Sequence, residues 1–504
     1  MKFLHLVCAA AVCIAGIGCS SGGDDGTSEP APVPAWEKFR HDAGNNGLGS
    51  GLFSSNTGAV RSVEIDAAGA LSASPAIPLS GWLYVASEGG TFAAVDPATL
   101  AVRWSVHSCL PPASSDPHAC AAGTEPLGMV QSSPAAYTLN SVTTIAFGST
   151  DGKVLGFSDS GGSAPSCLFC FAPSIQDFVT DEIAATAIAG IDPAFVSSPV
   201  FSFNSVMATI DGIYIGASVT VRLVGGASAQ AGKLYALNSD GSLKWQFPPP
   251  GRAAIGAVTS SPALGPGPTI YFTTDDGALH ALTESGEQKW RPVAVGQVRD
   301  PNALFAGSTV LSAAAVYVGT ANGAVVAVNL DGSERWRALP SADDPDLGFA
   351  TSLALGAQLA TPTPAGFETA TPEPNTTPTP TPTTIPLTSN QRVFGVSRSG
   401  RLTIVDSAFG SSQPPAGTPP TVSGLVFSSP ALSADGYVIF GTDDGKLYSL
   451  SSATGEAPIG WPVQLPTNGG GTGPYKAIRS SPAIASDGTI FVGADDGRLY
   501  AVGD

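Results

Sequence analysis

The stretch Ser480-Ser-Pro-Ala-Ile-Ala-Ser-Asp-Gly-Thr-Ile-Phe-Val-Gly-Ala-Asp-Asp-Gly-Arg-Leu-Tyr-Ala-Val502 decides the fold. Ile490 and Val492, then Leu499 and Ala501, fall two residues apart, the period of a strand with one face buried. Asp496-Gly497 between the two runs supplies the positive φ of a tight hairpin, and Gly488 does the same one turn earlier. The unit reads as a short strand from about Arg479 to Ile484, a turn, a second strand, an Asp-Gly turn and a third strand. Three short strands cannot bury a core alone, so the unit requires copies of itself.

Seven further copies of the third strand precede it: Gly445 to Leu450, Gly400 to Val405, Gly323 to Val328, Gly277 to Leu282, Gly232 to Leu237, Gly152 to Phe157 and Gly90 to Val95. The opening Ser-Pro element recurs at Pro75, Pro134, Pro199, Pro262, Pro430 and Pro482, and is degenerate near Thr309 and Thr351. Repetition without helix-period segments predicts a radial array of small sheets. A fourth strand follows most units, ending in a tryptophan: Trp104, Trp245, Trp290 and Trp336, with Trp461 a looser case.

On these tryptophan turns the sequence resembles the quinoprotein-like propellers, whose pyrroloquinoline quinone (PQQ) repeats carry an Ala-x-Asp-x-x-x-Gly-x-x-x-Trp docking motif. Ala236-Leu-Asn-Ser-Asp-Gly-Ser-Leu-Lys-Trp245 matches it with one residue fewer in the turn. The resemblance covers nearly all of the chain after Trp36 and implies that Trp104, Trp245, Trp290 and Trp336 wedge between neighbouring blades. A buried aromatic hides about 150–250 Å² and can staple two sheets.

The expected architecture is all-β: an eight-bladed propeller of four-stranded antiparallel blades. The strand Val60-Arg-Ser-Val-Glu-Ile65 precedes the first Ser-Pro element, while the last unit stops at Asp504 without a fourth strand. Pairing these two ends would close the ring and leave no open edge.

Residues 1–18 read as a secretory signal: Lys2, an apolar run from Leu4 to Ile17, then small residues before Cys19, too short to span a bilayer. Gly16-Ile-Gly-Cys19 reads as a lipobox, with Cys19 as the lipidated terminus and residues 19–35 as a flexible tether. The propeller is expected over 36–504, and His41 in its leading segment reads as a packed or capping residue. The expected location is exported and lipid-anchored in the outer membrane or cell envelope. In a four-stranded meander, the connections at 107–131, 173–196 and 217–231 all fall on one face, in blades 1 to 3. A Thr/Pro-rich insertion at 357–391 falls on the other, in blade 6, where proline cannot join a ladder.

A net charge of −18 excludes nucleic acid and anionic lipid as direct partners. Acidic pairs such as Asp275-Asp276, Asp443-Asp444 and Asp495-Asp496 read as turn formers; calcium is the sharper alternative. Beyond the signal and Cys19, four cysteines remain: Cys109, Cys120, Cys167 and Cys170. In an exported chain they read as two disulfides, most simply 109 with 120 and 167 with 170, although four cysteines allow three pairings. The repeated His-x-Cys at His107-Ser-Cys109 and His118-Ala-Cys120 offers a second reading, two imidazoles and two thiolates around zinc or copper.

The resemblance implies two opposed functions. PQQ-dependent alcohol dehydrogenases share the propeller, but they hold the quinone over a vicinal cysteine pair with calcium ligands around it, and no Cys-Cys occurs here. The propeller lipoprotein of the outer-membrane β-barrel assembly machine is a non-catalytic scaffold of the same architecture. The reading adopted is a non-catalytic, membrane-anchored, monomeric binding or assembly scaffold. It is expected to carry no cofactor, to contact the membrane only through its lipid and to bind a protein partner at the loop-rich face of blades 1 to 3. A PQQ- and calcium-dependent oxidoreductase and a cell-surface adhesion or polysaccharide-binding module are the alternatives.

Overall fold

Alternating apolar residues bounded by Gly turns give short strands, and among the described residues these group into eight antiparallel blade sheets and one two-stranded ribbon, Ser108–Cys109 with Glu125–Pro126, with almost no helix. The computed structural model describes Asp42, Asn45 and residues 47–503, apart from 54–57, 121–122, 180–184, 205–208, 297, 299–306, 340–347, 350, 358–390, 414, 418 and 467–475. The signal segment, Cys19, the tether, His41 and the Thr/Pro insertion beyond Ala357 therefore lie outside the described residues.

Blade 2 shows the pattern in full, with Ala135–Leu139, Val142–Gly148, Val154–Asp159 and Ser166–Phe171 running from the axis outward. Blade 1 has Leu83–Ala86, Phe92–Val95 and Val102–Val106, its innermost strand reduced to the bridge Ala76–Tyr84. In blade 3, Thr209–Leu223 and Ser228–Leu237 overrun the blade as a long hairpin, against which Ile188–Ala194 adds a further strand. Blade 6 keeps only a bridge, Val405–Ser412, where its outer strand should be, since Pro415, Pro419 and Pro420 cannot donate to a ladder.

The ring closes through the two ends of the chain. Val60–Glu64 forms the outer strand of blade 8, with Val60 opposite Val502 and Glu64 opposite Arg498. Gly488 and Gly497 take φ of 88° and 73°, the left-handed conformation that the hairpin turns require.

The blades are joined at the axis by a circular chain of hydrogen bonds. Each innermost strand begins with a buried serine, at 74, 133, 198, 261, 308, 352, 429 and 481. The amide of each donates to the hydroxyl of the next at 2.8–3.1 Å: Ser74 to Ser133, and so on round to Ser481, which donates to Ser74. The serine one position earlier works within its own blade: Ser132, Ser197, Ser260 and Ser480 accept from Gly148, Gly216, Thr273 and Gly493 at 2.7–3.1 Å. In the Ser-Ser-Pro elements at 132–134, 197–199, 260–262 and 480–482, one hydroxyl fastens the blade to itself and the other to its neighbour. The degenerate elements at Thr309 and Thr351 keep the inter-blade bond, because Ser308 and Ser352 hold the bonding position where proline is lost.

Candidate functional site

The axis is occupied by the chain itself. Asn45, fully buried at φ 57°, donates its side-chain amide to the carbonyls of Ser261, Pro262 and Thr309 at 3.1–3.4 Å, in blades 4 and 5. The segment then runs parallel to the innermost strand of blade 7. Leu432 donates to Gly47 O and Gly49 donates to Leu432 O, both at 2.8 Å. At Gly51 an added Cβ would lie 2.0 Å from the carbonyl oxygen of Ala485, so only glycine passes between blades 7 and 8. Phe53 leaves at the far end, its amide donating to Asp435 Oδ1 at 2.8 Å and its ring 5.0 Å from that of Trp461. The chain thus enters at the face of the fourth-to-first connections, by Asn45, and exits on the opposite face.

At the entry face the long connections of blades 1 to 3 are stapled. The disulfides are Cys109–Cys167 and Cys120–Cys170, separated by 58 and 50 residues. This corrects the pairing of sequence neighbours. Cys167 and Cys170 both lie on the strand Ser166–Phe171, where three residues of extended chain span roughly 10 Å. A disulfide requires Cα atoms about 4.4–6.8 Å apart. The cross-strand pairs meet this condition, at 5.4 Å each. All four sulfurs are consumed, so the His-x-Cys repeats do not form a metal site. Among the described residues no group of three or more His, Cys, Asp or Glu side chains could hold a metal ion.

The two histidines have other partners. His107 Nδ1 lies 3.1 Å from Thr91 Oγ1. His118 is held between two carboxylates, Nε2 3.0 Å from Asp177 Oδ1 and Nδ1 3.3 Å from Asp116 Oδ1, with its ring stacked on Phe171 at 5.5 Å. The hydrogen bond that His118 donates to Asp177 raises the His118 pKa, against the effect of burial. Asp177 also accepts from Tyr235 OH at 3.1 Å and from Ser174 N at 3.0 Å. Burial disfavours its charge, yet these partners, His118 first, hold its pKa below the usual value. Asp116 accepts from Leu243 N at 3.0 Å, on the outer strand of blade 3. Lys233 is buried beneath this network, bonded to Pro248 O at 2.5 Å, and burial lowers its pKa to about 8. The blade 1–2 connection is therefore fastened covalently to blade 2 and electrostatically to blade 3.

The acidic turns bond locally. Asp444 accepts from Thr442 and from Ser423 Oγ at 2.6 Å, and Asp496 accepts from Tyr500 OH at 2.7 Å.

The four motif tryptophans divide three to one. Trp245, Trp290 and Trp336 each lie over a glycine in the next blade, where a Cβ at Gly286, Gly332 or Gly410 would fall 2.6–2.7 Å from the indole. Their Nε1 atoms donate to the carbonyls of Glu284, Leu330 and Ser407 at 2.8–3.3 Å. At the seam of blades 2 and 3 Phe169 takes this place over Gly241. Trp104 does not. It packs in the core between blades 1 and 2, 5.2 Å from Phe92 and in one cluster with Phe147 and Phe157, and its Nε1 has no partner among the described residues.

Sequence reasoning missed the serine ring, Asn45, Asp177 and Phe169. A serine at this position repeats in all eight units, in six of them before a proline, and was a readable signal. Asn45, Asp177 and Phe169 carry no repeat and depend on the fold to find partners.

Fold and site together define an eight-bladed β-propeller with stapled loops on one face and its own chain on the axis. The family model for outer membrane protein assembly factor BamB matches residues 212–348 and 366–504, over half of the chain, and the chain belongs to that family. Several solved structures share the fold. BamB from Moraxella catarrhalis aligns at TM-score 0.49 and 14% identity over 88% of this chain and 98% of that one. A europium-containing methanol dehydrogenase aligns at 0.52 and 13% over 91% and 90%. The quinohemoprotein alcohol dehydrogenase ADHIIG from Pseudomonas putida HK5 aligns at 0.56 and 12% over 93% and 80%. At these identities the likeness concerns the fold alone. No curated protein sequence matches the chain.

Proposed function

We propose that this chain is a non-catalytic scaffold of the cell envelope, monomeric and tethered through a lipid on Cys19, that presents the loop-rich face of blades 1 to 3 to a protein partner. The observation that carries this reading is the apolar display on the stapled connections. Leu110, Met129 and Ile175 are 64%, 44% and 39% exposed on that face, on loops that the disulfides and the His118 network fasten, and Val224, 68% exposed, lies at the turn of the blade 3 hairpin beside them. Exposed apolar side chains on a pre-ordered surface are what protein association uses, because little conformational entropy is lost on binding. Asn45 lies at the same face, so the tether expected before it joins the propeller there. The family model names an outer membrane assembly factor, which agrees with a scaffold role.

The test is capture from solubilised membranes by the wild-type chain and by the double variant Leu110→Asp/Val224→Asp. The scaffold reading expects a specific envelope protein with the wild type and its loss with the variant. Equal capture by both would remove the loop-rich face from the reading.

The oxidoreductase alternative draws support only from the fold of the two dehydrogenases. Against it stand disulfides that join residues 58 and 50 positions apart and an axis filled by residues 45–53. Dye reduction with alcohols after adding PQQ and calcium would reverse this preference.

A further inference from the structure

Among the described residues blade 6 is the one blade without an outer strand, and a groove stands in its place. Its third strand, Leu402–Asp406, bonds outward only at its far end, where Asp406 N donates to Ser411 O at 2.9 Å and Gln413 N donates to Ile404 O at 2.8 Å. Outward-facing groups recur at every second residue, so Leu402 is the next. By that step it falls opposite Pro415, which has no amide hydrogen to give. Pro415, Pro419, Pro420 and Val422 stand away from the strand and enclose with it a groove of ≈ 540 Å³, bounded on the blade 5 side by Ala338 and Leu339. Among the described residues no backbone bond reaches the outward N–H and C=O of Leu402.

The seven other blades show what belongs in this position. The residue two places after the hairpin glycine, where blade 6 has Gly400 and Leu402, is paired in each of them with an apolar residue of the outer strand. Leu499 faces Val63, Leu447 faces Val463 and Val325 faces Ala338. The residue before it selects a charge. In blade 8 this is Arg498, whose Nη2 lies 3.2 Å from Oε2 of Glu64, the residue that follows Val63 on the outer strand. Arg401 holds the same place in blade 6, and among the described residues that line the groove it is the only charged one. A chain of net charge −18 therefore presents here a basic, apolar-walled strand edge one strand short of its blade.

We propose that this edge takes an extended segment of a partner protein as the fourth strand of blade 6, with an apolar residue facing Leu402 and an acidic residue after it facing Arg401. Strand addition would satisfy the backbone N–H and C=O that Leu402 turns outward and would cover the apolar wall, the two gains on which this mode of recognition rests. The site goes beyond the scaffold reading of blades 1 to 3 and does not depend on it, since blade 6 lies across the ring from them.

The blade 8 strand supplies the probe, a fluorescent peptide Val60-Arg-Ser-Val-Glu-Ile65 whose anisotropy is followed as the full chain is added. Saturable binding is expected. N-methylation of the peptide at Val63 removes the amide that would donate to Leu402 O and should weaken binding about tenfold. Arg401→Glu should weaken it roughly three- to fivefold, and the Glu64→Lys peptide should recover the loss. Leu339 is 73% exposed on the groove wall, so Leu339→Asp should weaken binding while leaving the thermal melt in place. No saturable binding, equal binding of the N-methylated peptide, or indifference to both Arg401→Glu and Leu339→Asp would each overturn the proposal. So would a dimer in sedimentation that Leu339→Asp dissociates, because a second copy of the chain would then be the occupant.

Discussion

Ser481 donates its amide hydrogen to Ser74 Oγ at 2.8 Å, across 407 residues of chain, and this bond completes the ring that seven other serines begin. Each bond satisfies a buried backbone donor at the narrow end of a blade, where no ladder partner exists. Replacing Ser133 by Ala should leave the amide of Ser74 buried and unsatisfied, at a cost of about 1–3 kcal/mol. Urea denaturation of Ser133→Ala and Ser74→Ala checks this, and an unchanged midpoint in both would show that the ring contributes nothing.

Glycine substitutions separate the filled seams from the open one. Gly286→Ala places a methyl group 2.7 Å from the Trp245 indole and strains a φ of 83°, whereas Gly161→Ala strains a similar φ of 87° in open space. The second should cost on the order of 1 kcal/mol and the first at least about 2 kcal/mol more, because overpacking adds to the backbone term. Comparison of the two denaturation midpoints is the measurement.

Non-reducing peptide mapping should recover Cys109 linked to Cys167 and Cys120 linked to Cys170, with no peptide joining 167 to 170. Replacing Cys120 and Cys170 together by Ala should lower stability by roughly 2–4 kcal/mol through the freed loop. It should also release the connection that carries His118.

The carboxylates on either side of His118 raise its pKa, and the sign of the pH dependence follows. Stability from the imidazolium is fully present below the unfolded value of about 6.5 and is lost as pH rises through the higher folded value. Asp116, Asp177, Tyr235 and Lys233 are the groups of the same network, and of these Lys233 titrates near pH 8. The protection of the 107–131 connection against hydrogen exchange, taken relative to the intrinsic rate at each pH, should therefore fall between neutral and mildly alkaline pH. Measured as protection relative to the intrinsic rate at each pH, His118→Gln should be poorly protected throughout and show little pH dependence, while a wild-type profile in that variant would assign the effect elsewhere.

Removing the amide of Asn45 tests the filled axis. Asn45→Ala withdraws a donor shared by three buried carbonyls in blades 4 and 5. A loss of about 1–3 kcal/mol is expected, with faster proteolysis of the N-terminal segment ahead of global unfolding. Proteolysis at the wild-type rate would mean that the segment is not held there.

The blade count, the strand edges and the closure by Val60–Glu64 were legible in the sequence because they rest on local signals: the two-residue period, the Asp-Gly turns and a last unit short of one strand. Turn chemistry acts within a few residues, and repetition made it readable eight times over. The cysteines and the tryptophan motifs could likewise be singled out, but their partners could not. Cys167 looked free to bridge Cys170 until the strand Ser166–Phe171 held them apart, and Trp104 carried the same motif as Trp245 yet Gly161 of the next blade lies clear of it.

What the tertiary structure alone decided is which distant groups meet at the axis and the seams. Neighbouring ring serines lie 44 to 77 residues apart, Asn45 lies 264 residues from Thr309, and His118 lies 59 from Asp177. Such pairings follow from the angle at which one blade succeeds another, a quantity fixed by the packing of whole sheets. No stretch of chain short enough to show a pattern encodes it.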